Sequence, residues 1–138
     1  MERSTELAAI LQSIYTAVSN GDANTLTEFL TGRDGLLFIG TDPDEWYDDA
    51  SSVKAMLTAQ AAAGVTVRGG NIVAYEEGTV GWVADRGEFI LSDGTAAPFR
   101  MTAVFHRENG NWRLVQEHAS VAVSNEEVIG TSLESGSD

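Results

Sequence analysis

Apolar residues recur at intervals of three or four near the start of the chain, which is typical of one face of a helix. The residues of that face are Leu7, Ile10, Leu11, Ile14 and Val18. Ser4 or Thr5 can cap this helix at its start, and Gly21 ends it. A shorter helix capped by Asp22 and a third helix over about 51–63 follow.

The second half of the chain alternates between apolar and polar residues, and this pattern predicts strands. The predicted strands cover 36–39, 65–75, 80–91, about 96–107 and 112 to about 123. Gly69-Gly70 lies within the second of these and predicts a bulge or bend in a curved sheet. Helices followed by meandering strands indicate an α+β fold, in which a curved antiparallel sheet packs against three helices of the N-terminal half.

Asn109-Gly110 predicts a two-residue type I′ turn between the last two strands, because both of its residues tolerate positive φ. Such a turn pairs Phe105 with Leu114, and Met101 with His118. One face is then the more apolar and should be buried; it carries Phe99, Met101, Ala103, Phe105, Trp112, Leu114, Gln116 and His118. Its two polar members, Gln116 and His118, need a partner from the protein, water or a ligand.

The register of strand 80–91 has two interpretations. If Asp93-Gly94 forms a two-residue turn, Trp82, Arg86 and Glu88 share the face of His118. Asp85 then turns away from that face. One extra residue, for which a bulge near Pro98 is a candidate, reverses the assignment. The sequence alone leaves both registers open.

Composition narrows the class of protein. The chain has 138 residues, which suits one domain, and it has no cysteine for disulfide or thiolate chemistry. Its net charge of −13 argues against binding to nucleic acid or to anionic membranes. It has no run long and apolar enough to cross a membrane, and its start lacks the features of a signal peptide. We therefore expect a cytoplasmic protein.

Two residues are candidates for acid–base catalysis. His118 carries an imidazole, the usual acid–base group near neutral pH, on the apolar face of a strand. Asp85 follows the apolar run Gly81-Trp82-Val83-Ala84, where a carboxylate needs a partner or a function. Each also has a structural interpretation: His118 as a hydrogen-bonded core residue, and Asp85 as part of a surface with an Asp85–Arg86 or Arg86–Glu88 pair, which is favoured over catalysis.

No metal site is expected. The acidic stretch 42–49 fails the calcium-loop pattern, because Tyr47 lies where that loop needs glycine. Solvation of the loop and capping of the third helix explain its acidic residues better. His106 and His118 are the two histidines of the chain and fall on opposite predicted faces, which disfavours zinc. With no glycine-rich phosphate loop either, no cofactor is expected.

Three stretches together resemble the nuclear transport factor 2-like superfamily, in its SnoaL-like or ketosteroid isomerase-like branch. They are Gly40-Thr41-Asp42-Pro43-Asp44-Glu45-Trp46, Gly81-Trp82-Val83-Ala84-Asp85, and the segment from Arg100 through Asn109-Gly110 to Ser120. The resemblance implies one SnoaL-like domain over 1–130, with a cone-shaped sheet that encloses a pocket. The polar composition of 131–138 indicates a frayed tail. Gln116 departs from the family pattern, which often carries a histidine there.

The resemblance also implies candidate functions. The first is binding of a small apolar or aromatic metabolite in the cone. The alternatives are a cofactor-free isomerase, cyclase or dehydratase using His118 or Asp85, and a non-catalytic dimerisation module. The residues expected in the pocket are Tyr15, Trp46, Trp82, Arg86, Glu88, Met101, Phe105 and Gln116. A homodimer is expected through the outer sheet face, which would carry Arg100, Thr102, Val104, His106, Val115 and Glu117.

Overall fold

The computed structural model describes residues 1–133, and in it three helices precede most of the strands. The helices are α1 (Thr5–Asn20), α2 (Ala23–Phe29), α3 (Ala50–Ala62) and α4 (Asn125–Ile129). The strands are β1 (Glu2–Arg3), β2 (Leu37–Ile39), β3 (Trp46–Tyr47), β4 (Thr66–Arg68), β5 (Val73–Glu77), β6 (Val80–Ile90), β7 (Ala96–Glu108) and β8 (Asn111–Ser120). Of the tail predicted to be frayed, residues 134–138 lie outside the described residues.

Side-chain caps fix where the helices begin. The Ser4 hydroxyl accepts a hydrogen bond from the Leu7 N–H at 3.1 Å, and the Asp22 carboxylate accepts one from the Thr25 N–H at 3.1 Å. The chain leaves α1 through Gly21, whose φ of +65° is the left-handed conformation that glycine adopts freely. The predicted caps and stop of the first two helices are therefore confirmed.

The strands form one sheet in the order β1-β5-β6-β7-β8-β2-β3. The remaining strand, β4, pairs with the C-terminal end of β6, on the same edge as β5. All pairs are antiparallel except that of β2 with β8. The sheet is curved and not closed, and its concave face packs against α1, α2 and α3 through one apolar core. The predicted α+β fold is confirmed. Within residues 1–133, no helix has the length and apolar character that crossing a membrane requires.

The β7–β8 hairpin has the predicted turn and then departs from the predicted register. Asn109 and Gly110 have φ of +52° and +81°, and Phe105 pairs with Leu114 as expected. The next pair, however, is Val104 with Gln116, so that Val115 is an extra residue in β8. This β-bulge turns every later side chain of β8 to the opposite face.

The bulge overturns three predicted positions. His118 pairs with Thr102 and is exposed on the outer face, as is Gln116. Glu117 pairs with Ala103 and is buried on the concave face, with 7% of its surface exposed. Glu117 is therefore not part of the outer face to which the sequence pattern assigned it, and His118 and Gln116 take its place there.

The β6–β7 hairpin settles the second open register. Its loop has three residues, Ser92–Gly94, because the Leu91 N–H bonds to the Thr95 carbonyl at 2.8 Å. Gly94 takes the left-handed position of such a loop, with φ of +86°. Asp85 consequently pairs with Met101 on the concave face. The interpretation with a two-residue turn was wrong. The observed register is the other one that the sequence had left open, shifted by one residue.

The same register places three expected pocket residues on the outer face. Trp82 pairs with Val104 there and stacks on Tyr75, with ring centroids 6.3 Å apart. Arg86 is exposed, and Glu88 forms an ion pair with Arg68 at 2.6 Å. The expectation that Trp82, Arg86 and Glu88 line the pocket was therefore wrong, because side chains two residues apart on a strand share one face.

Gly69-Gly70 divides the strand predicted over 65–75 into β4 and β5. Both halves pair with β6, β4 opposite Glu88–Ile90 and β5 opposite Val80–Ala84. At the gap the Gly70 N–H points at the Asp85 carboxylate. The predicted bend is present, and it also supplies a hydrogen-bond donor to a buried acid.

Candidate functional site

A cavity of about 240 Å³ lies between the three helices and the concave face of the sheet. Most of its wall is apolar, including Ile14, Leu26, Met56, Leu57, Phe89 and Phe99. The polar side chains in the wall belong to Tyr15, Thr41, Glu45, Gln60 and Glu117. A dry apolar cavity of about 150 Å³ is enough to hold benzene. This cavity therefore has room for a molecule of one ring with a short substituent.

The cavity opens to solvent where the residues of its wall are exposed, at Thr41 and Leu91. Glu45 stands at this mouth, half-buried, and its carboxylate accepts a hydrogen bond from the Asp42 N–H at 2.8 Å. Gly40 makes room for it, since a Cβ there would come within 2.7 Å of the Glu45 carboxylate. The loop between β2 and β3 therefore holds one acidic side chain at the entrance.

Tyr15 and Asp85 form a buried hydrogen-bonded pair beside the cavity. The Tyr15 hydroxyl donates to Asp85 Oδ2 at 2.8 Å, and the Gly70 N–H donates to both carboxylate oxygens at 3.2 Å. Asp85 is 4% exposed, so these two donors replace the water that its charge has lost. Burial, followed by the hydrogen bond to Asp85, raises the pKa of the Tyr15 phenol far above its ordinary value.

This pair connects α1 to β6, and its geometry favours a structural role. Tyr15 lines the cavity, whereas Asp85 is not among the described residues of its wall. A catalytic base has to come within hydrogen-bond reach of the proton that it removes. Asp85 already accepts from two protein donors. The predicted catalytic role of Asp85 thus stays a prediction, without direct access to the cavity to support it.

Glu117 is a buried acidic residue that does line the cavity. It lies on β8 in one row with Ala103 of β7 and Phe38 of β2. Within the described residues its Oε2 atom is fully enclosed and has no hydrogen-bond partner. Burial raises the pKa of this carboxyl well above its usual range, and the negative charge of Glu45 raises it further. Glu117 is thus a buried acid in the wall of a largely apolar cavity.

The residues expected in the pocket fall into two groups. Tyr15 and Met101 lie in the cavity wall. Phe105 is completely buried in the core and does not line the cavity. Trp46, Trp82, Arg86, Glu88, Gln116 and His118 lie away from the cavity wall.

The prediction that Trp46 lines the pocket was wrong, because the pairing of β3 with β2 turns its side chain to the outer face. Trp46 pairs with Ile39, which in turn pairs with His118 on the outer face. The side chain of Trp46 therefore lies on the same outer face as those of Ile39 and His118, and it is 65% exposed. The residue before it, Glu45, points to the opposite face and into the cavity mouth.

Sequence reasoning missed Glu117 because the extra residue in β8 leaves little trace in the sequence. In β8 the buried apolar residues are Trp112 and Leu114 before the bulge and Ala119 after it. The first two have even numbers and the last has an odd number, so the alternation of buried positions changes between them. Such a change of parity within one strand requires an extra residue. Because Val115 is itself apolar, the extra residue is not visible as a polar interruption.

The acidic loop is used by the fold itself. Asp49 caps α3 by accepting from the Ser52 N–H at 2.7 Å, as predicted, and Asp42 accepts from the Asp44 N–H at 3.0 Å. Within residues 1–133, no group of three or more His, Asp or Glu side chains is arranged to hold a metal ion.

Comparison with known proteins agrees with this architecture. A sequence model described as the SnoaL-like domain matches residues 7–124. No curated protein matches the sequence. An NTF2-like protein of unknown function from Pseudomonas putida superposes with a TM-score of 0.76 at 15% identity, over 95% of this chain and 93% of that one.

Two further solved structures are similar. An NTF2-like family protein from Streptomyces avermitilis, described provisionally as a dehydratase, has a TM-score of 0.73 at 18% identity, over 86% and 95% of the two chains. An NTF2-like protein with a cystatin-like fold from Novosphingobium aromaticivorans has a TM-score of 0.65 at 18% identity, over 85% and 88%. At these identities the likeness extends to the fold and not to the activity.

Proposed function

The chain belongs to the SnoaL-like domain family, and from that premise we propose that it binds a small, mainly apolar or aromatic molecule in the cavity of its cone-shaped fold. The observation that carries the proposal is a cavity of about 240 Å³ with an apolar wall and a few polar side chains. Ligand sites in proteins have this composition, with a few polar groups that orient the ligand.

Binding without turnover has more support than proton transfer. His118 lies on the outer face, and Asp85 is occupied by Tyr15 and Gly70. Glu117 is the one acid of the described chain that is buried and reaches the cavity wall. Acid–base catalysis of an isomerase or dehydratase type commonly needs an acid and a base that act on one substrate. The cavity does not bring such a pair together from the residues that the sequence proposed.

Small aromatic molecules are expected to stabilise the chain. Indole and 2-phenylethanol are suitable probes, because each fits the volume of the cavity. A ligand at about 100 times its dissociation constant adds about 2.7 kcal/mol to the free energy of unfolding. For a chain of this length that raises the melting temperature by several degrees, which a thermal denaturation series with increasing probe would measure.

A cavity-filling variant provides the control. Ala119 lies in the cavity wall and Ala84 on the outer face, and each is a small residue on a central strand. Ala119→Leu should remove the response to both probes by occupying their space, whereas Ala84→Leu should leave it intact. An unchanged response in the Ala119→Leu protein would show that the probes bind elsewhere.

We also propose that two copies of the chain pair through the outer face of the sheet. This face carries an aromatic stack of Tyr75 and Trp82, flanked by Val73 and Val80, which are 46% and 41% exposed. Arg86 pairs directly with Arg100 beside this patch. Exposed apolar residues beside two adjacent arginines suit an interface better than a solvated surface.

Self-association through this face predicts a concentration-dependent mass in sedimentation equilibrium. Trp82→Glu should shift the chain to the mass of a monomer, because it places a negative charge at the centre of the apolar patch. Trp82→Phe keeps an aromatic ring there and should preserve the dimer. A wild-type chain that stays monomeric at high micromolar concentration would refute the proposed pairing.

A further inference from the structure

The cavity contains a buried acid without a partner on the protein. Glu117 is 7% exposed, and its Oε2 atom is fully enclosed and has no hydrogen-bond partner among the described residues. Buried carboxyl groups are ordinarily paired with a base or satisfied by donors, as Asp85 is by Tyr15 and Gly70. An unpaired acid in a cavity wall indicates that its partner comes from outside the chain.

The charges around Glu117 specify what kind of partner this is. Glu45 at the mouth is a second acid in the cavity wall, and its negative charge acts on Glu117. Tyr15 on α1 directs its proton to Asp85 and not to Glu117. Among the described residues of the cavity wall there is no Lys, Arg or His. A ligand with a carboxylate or phosphate would therefore find no positively charged partner in this wall.

We propose that the ligand of this cavity is a small apolar molecule that carries one positively charged amine, and that its ammonium group pairs with the carboxylate of Glu117. This inference rests on the proposed function and specifies its ligand class. The apolar wall takes the body of the ligand, and Glu117 takes its charge. The net charge of −13 adds an attraction for cations over the whole molecule.

Because Glu117 must lose a proton to form this ion pair, the affinity for the amine should depend on pH. In the free protein Glu117 holds its proton to unusually high pH, because the carboxyl is buried and faces Glu45. When the ammonium ion enters, Glu117 releases that proton to solvent and the ion pair forms. Below the raised pKa, affinity for the amine should rise with pH by at most about tenfold per pH unit, since one proton is released. Above that pKa, affinity should level off.

Three probes with similar apolar bodies separate the ligand classes: 2-phenylethylamine as the cation, 2-phenylethanol as the neutral molecule and 3-phenylpropionate as the anion. Isothermal titration calorimetry at pH 7 should show the amine binding at least tenfold more tightly than the alcohol, with the anion weakest. Glu117→Gln should remove the preference for the amine. Glu88→Gln, on the outer face, should preserve it.

Each outcome decides between the proposals. Equal or tighter binding of the alcohol, or a preference for the amine that survives Glu117→Gln, overturns the ammonium pairing and leaves cavity binding intact. If none of the three probes binds, both the ammonium pairing and the proposed binding function are overturned. Should Glu117→Gln not fold, the wild-type chain still decides the question. Affinity for the amine that is constant or falls from pH 5 to pH 8 would overturn the proposal.

Discussion

Gly70→Ala is expected to lower the free energy of unfolding by about 3 kcal/mol. A Cβ at this position would meet the main-chain carbonyl of Arg86 and would come within 3.2 Å of Asp85 Oδ1. Main chain in the middle of a sheet cannot move aside as a flexible side chain can. Any shift also weakens the hydrogen bond from the Gly70 N–H to the buried carboxylate.

Gly32→Ala is the matched control, because Gly32 has ordinary φ and no atom within 4 Å of the added Cβ. It should change stability by less than about 0.5 kcal/mol. Urea denaturation of both variants measures the difference, provided that the slope with denaturant is unchanged. A Gly70→Ala protein as stable as the Gly32→Ala protein would mean that β4 and β5 do not approach β6 as described.

The gap at Gly69-Gly70 connects the curvature of the sheet to the candidate site. Because β4 and β5 separate there, each pairs with a different part of β6 and the sheet bends around the helices. The freed N–H of Gly70 and the hydroxyl of Tyr15 then hold Asp85, which fixes α1 against β6. The bend, the buried acid and one wall of the cavity therefore depend on one another.

The parts of the fold that depend on local signals could be predicted from the sequence. Periodic apolar residues located α1, and the caps at Ser4 and Asp22 marked where helices begin. The turn at Asn109-Gly110 was predicted because its positive φ angles are a property of the dipeptide itself. Each of these signals involves residues that are close in sequence.

The candidate site could not be predicted, because it depends on register over long strands. One extra residue in the Ser92–Gly94 loop brings Asp85 to the concave face, and one at Val115 brings Glu117 there. A two-residue and a three-residue loop differ little in local sequence, since glycine suits both. The decision is made by packing of the whole sheet against the helices, which no short segment contains.

Glu117→Met is expected to stabilise the ligand-free chain by about 1–3 kcal/mol at pH 8. Methionine has a similar size and shape but carries neither charge nor unsatisfied polar atoms, and its neighbours Phe38 and Ala103 are apolar. Thermal and urea denaturation of the two proteins measure the gain. A stabilised variant that no longer prefers the amine would show that Glu117 serves binding at a cost in stability.

The dependence of this gain on pH follows from the raised pKa of Glu117. Below its unfolded pKa of about 4.5 the carboxyl is neutral in both states, and the wild-type chain bears no cost of charge. As pH rises from there towards the raised folded pKa, the unfolded state loses its proton while the folded state keeps it, so the wild-type chain loses stability. The advantage of Glu117→Met should therefore be small at pH 4 and grow towards pH 8. Glu126→Met, on the exposed face of α4, should show no such growth, and an equal slope in both variants would contradict the burial of Glu117 as an unpaired acid.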